Sequence, residues 1–308
     1  MQVSLFASAV RPKLWPALFK SLEGTSVKYE VIFAGNNRKL NRLEGIEFYD
    51  PFKGMESYFK DTSTMPSNFK YIETGNIKPA QCYEIARRHC TGETVVWIAD
   101  DCEFPNDVIG KAYKYWKSQN NEKLILSIQT AESGYNQEEC ALFDMKQHRF
   151  YGGEAGGPLM APIALMSRKF LDELGGLDNR YICGQYENDI VMRAYSQGAV
   201  VEIFGDKDCY VEIDHLKKSK EIGESTNIEE FFNRPFAKGY ANDRAVLENS
   251  WTTYDNVYAF KLLESGKNIK THASLRKIHD KQVDQFHPYL KDISYNKSEG
   301  NNLVDMWE

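Results

Sequence analysis

Three acidic side chains follow directly on a short apolar run in the stretch VVWIADDCEF, residues 95–104. The run is rich in β-branched and aromatic residues and ends before Pro105, which predicts a short buried strand. Its C-terminal tip then carries Asp100, Asp101 and Glu103. Charge in such a place needs a partner, and a divalent cation with oxygen ligands is a candidate. A surface turn or a helix cap also explains an acid pair of this kind.

Two further groups suited to acid–base or metal chemistry lie in the second half of the chain. The run YENDIVMRAYSQG places Glu187 and Asp189 at the start of a predicted helix that also holds Arg193. Acids at that place can stabilise the positive end of a helix without any catalytic task. In CYVEIDHLKKS, His215 follows a predicted strand. A lone histidine is commonly a partly buried structural residue, but its imidazole nitrogen also suits ions such as Mn²⁺.

The chain up to about residue 130 alternates between strand and helix patterns. We therefore predict an α/β fold with a mostly parallel sheet flanked by helices, in which ligands bind at the carboxyl ends of the strands. The predicted strands are VSLFASA, YEVIFAGNN, TVVWIADD and KLILSIQT. In the helix after the acids, the spacing predicts an inward stripe of Val108, Ala112, Tyr115 and Trp116.

The middle of the chain is richer in glycine and proline. The run YGGEAGGPLMAPIALMS predicts a loop that approaches another group closely, followed by Ser167 as a helix cap. Another helix is predicted from about Glu187, and the strand AVVEIF follows it. Beyond about Ser219 helical patterns replace the strands. We therefore divide the chain into an α/β domain, residues 1–218, and a helical C-terminal extension, residues 219–308.

The composition limits the possible classes of partner. The chain has 308 residues, 42% of them hydrophobic, and can fill a sizeable core. Its net charge of -6 gives no general attraction for nucleic acid or anionic membranes. No apolar run approaches the roughly 20 residues of a membrane span and no signal-peptide pattern opens the chain, so a cytoplasmic location is expected. Six cysteines without a C-x-x-C pair predict reduced thiols. None of these features predicts an oligomeric state.

The acid cluster resembles the D-x-D-type motif of the GT-A glycosyltransferases, in which a strand-end carboxylate holds Mn²⁺ or Mg²⁺ against the diphosphate of a nucleotide-sugar. The segment ELGGLDNRYICGQYENDIVMRAYSQG is similar to a segment of the family 2 transferases that reads G-G-F-D-E-x-F, an acid pair, D-[LI]-x-x-R and a glycine. Here the pieces are residues 175–178, residues 186–190, Arg193 and Gly198. The resemblance covers roughly residues 2–216.

The resemblance implies that residues 1–218 are a GT-A catalytic domain. Its members transfer a sugar, here with inversion, from a nucleotide-diphosphate-sugar such as a UDP-sugar to an acceptor hydroxyl. The family spacing places Glu187 as the catalytic base and Asp189 as an acid that orients the acceptor. The implied cofactor is Mn²⁺ or Mg²⁺, and its implied ligands are Asp101, Glu103 and His215.

The same resemblance implies donor contacts at the tips of the first strands and ahead of the acid cluster. Asn36 and Asn37 stand where family members often carry an acid. Cys102 takes the place of the second aspartate of the motif when the motif is aligned from Pro105. The implied donor-binding residues are Ala7, Ser8, Val10, Arg11, Gly35, Asn36, Asn37, Lys78, Gln81, Asp100 and Asp101.

Other functions fit parts of the sequence. A sugar nucleotidyltransferase has a related architecture, but the opening ASAVRPKLWPALFK lacks a glycine loop for a triphosphate. A non-catalytic module that binds a nucleotide-sugar would fit a decayed site. The expected acceptor is a glycan, polysaccharide or lipopolysaccharide sugar, and a modified DNA base is the alternative, suggested by a basic, aromatic tail that starts at Lys217, Lys218 and Lys220. A solvated helical face also explains these lysines, and the net negative charge favours it over nucleic-acid binding.

Overall fold

Two sheets organise the protein. The computed structural model describes residues 1–9, 11–35, 67–73, 79–134, 137–142, 159, 161–178, 181–222, 243 and 247. Within them, one sheet has seven strands and the other has three. The strands are β1 (Val3–Ser8), β2 (Tyr29–Gly35), β3 (Phe69–Glu73), β4 (Thr94–Trp97), β5 (Leu124–Ile128), β6 (Thr130–Gly134), β7 (Gln137–Leu142), β8 (Ala164–Ser167), β9 (Val200–Phe204) and β10 (Val211–Asp214).

The large sheet is mostly parallel and has the strand order β3-β2-β1-β4-β8-β5-β9. Strand β8 is antiparallel to both of its neighbours, β4 and β5, and the other pairs are parallel. From β1 the chain moves outward to β2 and β3 and then returns to β4 on the other side of β1. The carboxyl ends of β1 and β4 therefore meet at a point where the strand order reverses, the usual ligand position of an open α/β sheet.

Six α-helices accompany the sheets in the described part of the chain. Helix α2 packs against β1 and β2, and α3 packs against β5 and β8. Short 3-10 turns with Pro12 and Pro105 at their first positions lead into α1 and α3. The helices are α1 (Trp15–Ser21), α2 (Pro79–Arg88), α3 (Val108–Gln119), α4 (Arg168–Glu173), α5 (Tyr186–Ser196) and α6 (His215–Ile222).

The indole of Trp15 fixes the first helix on the sheet. Its ring centroid lies 5.2 Å from that of Phe33, 5.8 Å from that of Phe69 and 5.4 Å from that of Tyr71. Such aromatic contacts add to the free energy of burying large apolar surfaces. The packing leaves the indole N–H directed at Asp100, just beyond β4. The core of the fold thus also orients a polar group at the strand tips.

The predicted mostly parallel sheet with flanking helices is confirmed. The predicted cap is confirmed as well, because the Ser167 hydroxyl accepts a hydrogen bond from the Phe170 backbone N–H at 3.2 Å. The predicted loop before it is wrong at its end, since Ala164–Ser167 forms β8. A four-residue strand that is buried on both faces has no alternation of polar and apolar residues by which a sequence could reveal it.

The predicted inward face of α3 is wrong at one position. The side chain of Tyr115 is 39% exposed, whereas Tyr113 is 7% exposed and stacks beside Trp116 at 6.4 Å between ring centroids. The Tyr115 hydroxyl instead donates to Glu202 on β9 at 3.0 Å. Both tyrosines lie near the border of the apolar stripe, and Tyr115 lies on the side that faces β9.

Two residues that the structure describes beyond α6 are buried. The predicted boundary between residues 218 and 219 falls inside α6, and the division into two domains stays a prediction. Past residue 222 the structure describes Asp243 and Leu247, which are 0% and 1% exposed. Leu247 belongs to the same apolar core as the central strands. None of the helices in the described ranges has the length and apolar character needed to cross a membrane.

Candidate functional site

Asp100 lies just beyond β4 and is completely buried. Its carboxylate accepts hydrogen bonds from the backbone N–H and the Nε of Arg11, each at 2.8 Å, and from the Trp15 indole N–H at 3.3 Å. The Nη2 atom of Arg11 lies 2.6 Å from Oδ1 of Asp100. Arg11 follows β1, which runs parallel beside β4, so strand pairing itself brings the two residues together.

Asp101 contacts two cations. The Nη1 atom of Arg11 pairs with its Oδ2, and the buried ammonium of Lys218 donates to the same oxygen at 2.5 Å. The Lys218 Nζ atom also lies 3.1 Å from Nδ1 of His215. Burial by itself would raise the pKa of Asp101, but Arg11 and Lys218 outweigh it and hold this pKa below its usual value. Asp101 is therefore ionised, and it shares one cation with His215.

His215 is the first residue of α6 and stands beside β6. Burial, and then the neighbouring charge of Lys218, lower the pKa of His215 to about 4. The imidazole is consequently neutral near pH 7, which is the form that can ligate a metal ion. On its other side, Nε2 lies 4.0 Å from a carboxylate oxygen of Glu132 on β6.

Two of the three predicted metal ligands converge on one point. Asp101 Oδ2 and His215 Nδ1 share the Lys218 ammonium, and Asp101 Oδ1 is buried without a hydrogen-bond partner among the described residues. These atoms fit a divalent cation that would replace the ammonium. Glu103 does not join them, because its carboxylate accepts from Lys217 at 2.5 Å. In the described ranges no three His, Cys, Asp or Glu side chains are grouped as a metal site, so substrate oxygens would have to complete the shell.

Glu187 lies in the first turn of α5, and its pKa is shifted in the direction opposite to that of Asp101. Its Oε2 is buried and finds no hydrogen-bond partner in the part of the chain that the structure describes. Desolvation, with a smaller contribution from the negative charge of Asp243, raises the pKa of Glu187 to about 7. A carboxyl group with such a pKa can accept a proton near neutral pH, as a general base must.

Asp189 is completely buried and serves the packing of α5. Its Oδ2 accepts a hydrogen bond from the Arg193 Nε at 2.8 Å. Arg193 also donates to the carbonyl oxygens of Leu174 and Gly176, at 2.6 and 2.7 Å. The ion pair thereby ties α5 to the glycine turn that follows α4. These contacts give Asp189 a structural task, and its role toward an acceptor stays a prediction.

Tyr83 on α2 connects the acid pair with Glu187. Its hydroxyl donates at 2.7 Å to the carbonyl oxygen of Ile98, two residues before Asp100. Its ring centroid lies 5.1 Å from that of Tyr186, the residue before Glu187. Both acidic groups therefore lie at the same edge of the large sheet, on either side of one tyrosine.

The other predicted donor contacts follow the same strand tips. Ala7 and Ser8 end β1, and Gly35 ends β2. A Cβ on Gly35 would lie 2.1 Å from the Ala9 carbonyl oxygen, so the close approach of the two tips requires glycine. Gln81 is buried in α2. These positions leave the predicted donor contacts open, and four further predicted residues lie outside the described ranges: Val10, Asn36, Asn37 and Lys78.

The interpretation of the tail lysines as a solvated basic face is wrong for Lys218, while Lys220 is exposed. The side chain of Lys218 is buried against Asp101, and Lys217 pairs with Glu103. The i, i+3 spacing of His215 and Lys218 does place both on one face of α6, and this signal was present in the sequence. The contact with Asp101, however, spans 117 residues, and no local pattern reports it.

Neither a protein-family model nor a curated protein matches this chain. Among solved structures, it is similar to S. aureus TarS. The structure of TarS 1-349 with UDP has a TM-score of 0.50 and 14% identity over 92% of each chain. The complex with UDP-GlcNAc has a TM-score of 0.53 and 12% identity over 95% of this chain and 79% of the other. At these identities the likeness shows that the two proteins share a fold.

Replacing Asp189 with asparagine should lower the free energy of unfolding by about 3 to 5 kcal/mol, because Arg193 would keep a buried charge without its counter-ion. Urea unfolding measures this change. The matched control is Glu122→Gln, which breaks the exposed ion pair with Lys169 and should change stability little. If Asp189→Asn preserved stability and lowered only turnover, the structural task assigned to Asp189 would be wrong.

Proposed function

We propose that the protein transfers a sugar from a UDP-sugar to an acceptor hydroxyl, with inversion at the anomeric carbon and with Mn²⁺ or Mg²⁺ as cofactor. One observation carries the proposal: a cation-bound acid pair lies at the same sheet edge as Glu187, whose buried Oε2 has no hydrogen-bond partner among the described residues. The first arrangement suits a diphosphate and the second suits a general base. A GT-A fold of the family 2 type is part of the same proposal.

The comparisons support a uracil nucleotide as donor. TarS, which has the same fold, was crystallised with UDP and with UDP-GlcNAc. In this chain we place the nucleotide at the carboxyl ends of β1, β2 and β4, where open α/β sheets bind their ligands. Arg11 and Asp100 hold this edge together, and Asn36 and Asn37 follow β2 in the sequence.

In the proposed reaction the acceptor oxygen attacks the anomeric carbon, and the bond between that carbon and the β-phosphate oxygen breaks. The electron pair of the broken bond leaves with the nucleoside diphosphate. The proton of the acceptor hydroxyl passes to Glu187, which must be ionised beforehand. Attack opposite the leaving group inverts the anomeric configuration.

The charge of the departing diphosphate must be offset where it forms. The charges of Arg11 and Lys218 are already balanced by Asp100 and Asp101 at this place, so a metal ion would have to supply the additional positive charge. When bound, Mn²⁺ or Mg²⁺ would be held by Asp101 and His215 and would add positive charge to the diphosphate oxygens, which would complete its shell. Most of the rate enhancement then comes from positioning and charge stabilisation, and less from proton transfer.

The proposed acceptor is a sugar hydroxyl of a glycan, polysaccharide or lipopolysaccharide. A DNA acceptor would need basic residues free to contact phosphates. The side chains of Lys217 and Lys218 are instead bound to Glu103 and Asp101. The net charge of -6 disfavours DNA further.

Glu187→Gln should lower kcat by about 10²- to 10⁴-fold and leave the affinity for the UDP-sugar nearly unchanged, because an amide cannot accept the acceptor proton. UDP release in the presence of a glycan acceptor measures kcat, and isothermal titration measures donor affinity. Glu202→Gln, which removes an acid on the edge strand β9, is the control and should change neither quantity. An unchanged kcat in Glu187→Gln would remove this residue from the base role.

The pH dependence of kcat/KM of the wild-type enzyme should show the ionisation of Glu187. Only the ionised form of Glu187 accepts a proton, and its pKa is raised to about 7. The value of kcat/KM should therefore rise about tenfold per pH unit below pH 7 and level off above it. Initial rates of UDP release across a pH series measure this rise, the acid limb of the kcat/KM profile. If kcat/KM levelled off near the ordinary pKa of glutamate, about 4.3, the environment assigned to Glu187 would be wrong.

Lys218→Met should increase the affinity for Mn²⁺ in the absence of donor, because the ammonium no longer occupies the position between Asp101 and His215. Asp101→Ala should abolish Mn²⁺ binding and the metal-dependent part of UDP binding. Titration with MnCl₂, followed by UDP, measures both. Lys220→Met, an exposed change on the same helix, should bind Mn²⁺ as the wild type does. Equal Mn²⁺ affinity in all three variants would place the metal elsewhere.

A further inference from the structure

Asp243 is a buried acid that contacts the segment before α5, although the two are about 60 residues apart in the sequence. It is 0% exposed. Its Oδ1 accepts a hydrogen bond from the backbone N–H of Ile182 at 2.7 Å, and its Oδ2 accepts from the backbone N–H groups of Cys183 and Gly184, each at 2.8 Å. One side chain thus binds three consecutive backbone donors, about 60 residues earlier in the sequence.

The chemistry of these bonds requires a carboxylate. Hydrogen bonds to an ionised acceptor are about twice as strong as neutral ones, and three of them compensate the burial of the charge. An asparagine could accept on one oxygen, but its NH₂ group would face backbone N–H groups that also donate. The site is therefore built for an anionic residue.

The anchored segment leads directly into the helix that carries the proposed base. Gln185 is the N-cap of α5 and adopts a left-handed backbone with φ 63°. Glu187 lies two residues further on, so its position depends on the path of residues 182–184. The carbonyl oxygen of Ile182 also accepts from the backbone N–H of Ala80, at the start of α2. The anchor thus connects the chain beyond α6 with the edge of the sheet where the acids lie.

We propose that Asp243 is a positioning residue for the transfer reaction: its carboxylate fixes residues 182–184 and thereby the place and surroundings of Glu187. This inference rests on the proposed function, because it assumes that Glu187 is the base. Asp243, from beyond α6, thereby helps to position the proposed site. A misplacement of about 1 Å at a reacting group can cost about 10²-fold in rate.

The charge of Asp243 gives the proposal a signature that a purely structural anchor would lack. The negative charge of Asp243 helps to raise the pKa of Glu187, and the nearby Cys183 thiol is titratable as well. Burial, and then Asp243, raise the pKa of the Cys183 thiol, so that group stays neutral and Asp243 supplies the charge. Loss of this charge should lower the pKa of Glu187, and a loosened loop that admits water should lower it further.

The test compares Asp243→Asn with the wild type in the full chain. The substitution should speed backbone hydrogen exchange in residues 182–184, lower kcat by about 10- to 100-fold, and move the acid limb of kcat/KM to lower pH. Asp243→Ser, which lacks the conflicting NH₂ group, should act in the same direction and replaces Asp243→Asn if that variant does not fold. If hydrogen exchange in residues 182–184 and the acid limb of kcat/KM were both unchanged in the folded variants, the proposal would be overturned.

Leu247→Ala is the matched control from the same segment. Leu247 is buried in the core and removal of its side chain should lower stability, while exchange in residues 182–184 and the acid limb stay near those of the wild type. If Leu247→Ala reproduced both changes of Asp243→Asn, docking of the segment and not the carboxylate would hold the loop, and the assignment to Asp243 would be overturned. Hydrogen exchange needs no substrate, so it tests the anchor even if Glu187→Gln shows that the base assignment is wrong.

Discussion

The structure depends on the burial of two adjacent carboxylates, Asp100 and Asp101, where a parallel sheet reverses its strand order. A buried charge without partners would destabilise the fold by several kcal/mol. Arg11 from the end of β1, the Trp15 indole N–H and Lys218 from α6 supply the partners. Elements from three parts of the chain must therefore assemble before this sheet edge is stable, and the same assembly concentrates charge where a ligand would bind.

Acids at one edge of the sheet have opposite environments. Asp101 is surrounded by cations and has a lowered pKa, whereas Glu187 is desolvated beside Asp243 and has a raised pKa of about 7. Separate tasks for neighbouring carboxyl groups require such a difference, because one must stay charged and the other must exchange a proton near neutral pH. Tyr83 links the two environments by contacts to both strand tip and helix.

Two charged residues that follow β10 in the sequence contact the candidate site. Lys218 occupies the position between Asp101 and His215, and Asp243 binds the backbone ahead of α5. Both residues are charged and buried, and Leu247 belongs to the apolar core. The similarity to TarS concerns the fold alone, whereas the contacts of Lys218 and Asp243 are observed in the structure of this chain.

The sequence by itself determined the features that depend on neighbouring residues: the buried strand before Asp100, the Ser167 cap and the helix that begins near Glu187. Periodicity and turn chemistry act over about ten residues, so the sequence could predict these three features. The tertiary structure alone decided that Lys218 would join Asp101 and that Asp243 would bind residues 182–184. Those contacts span 117 and about 60 residues, and the path of the whole chain, rather than any local preference, selects such partners.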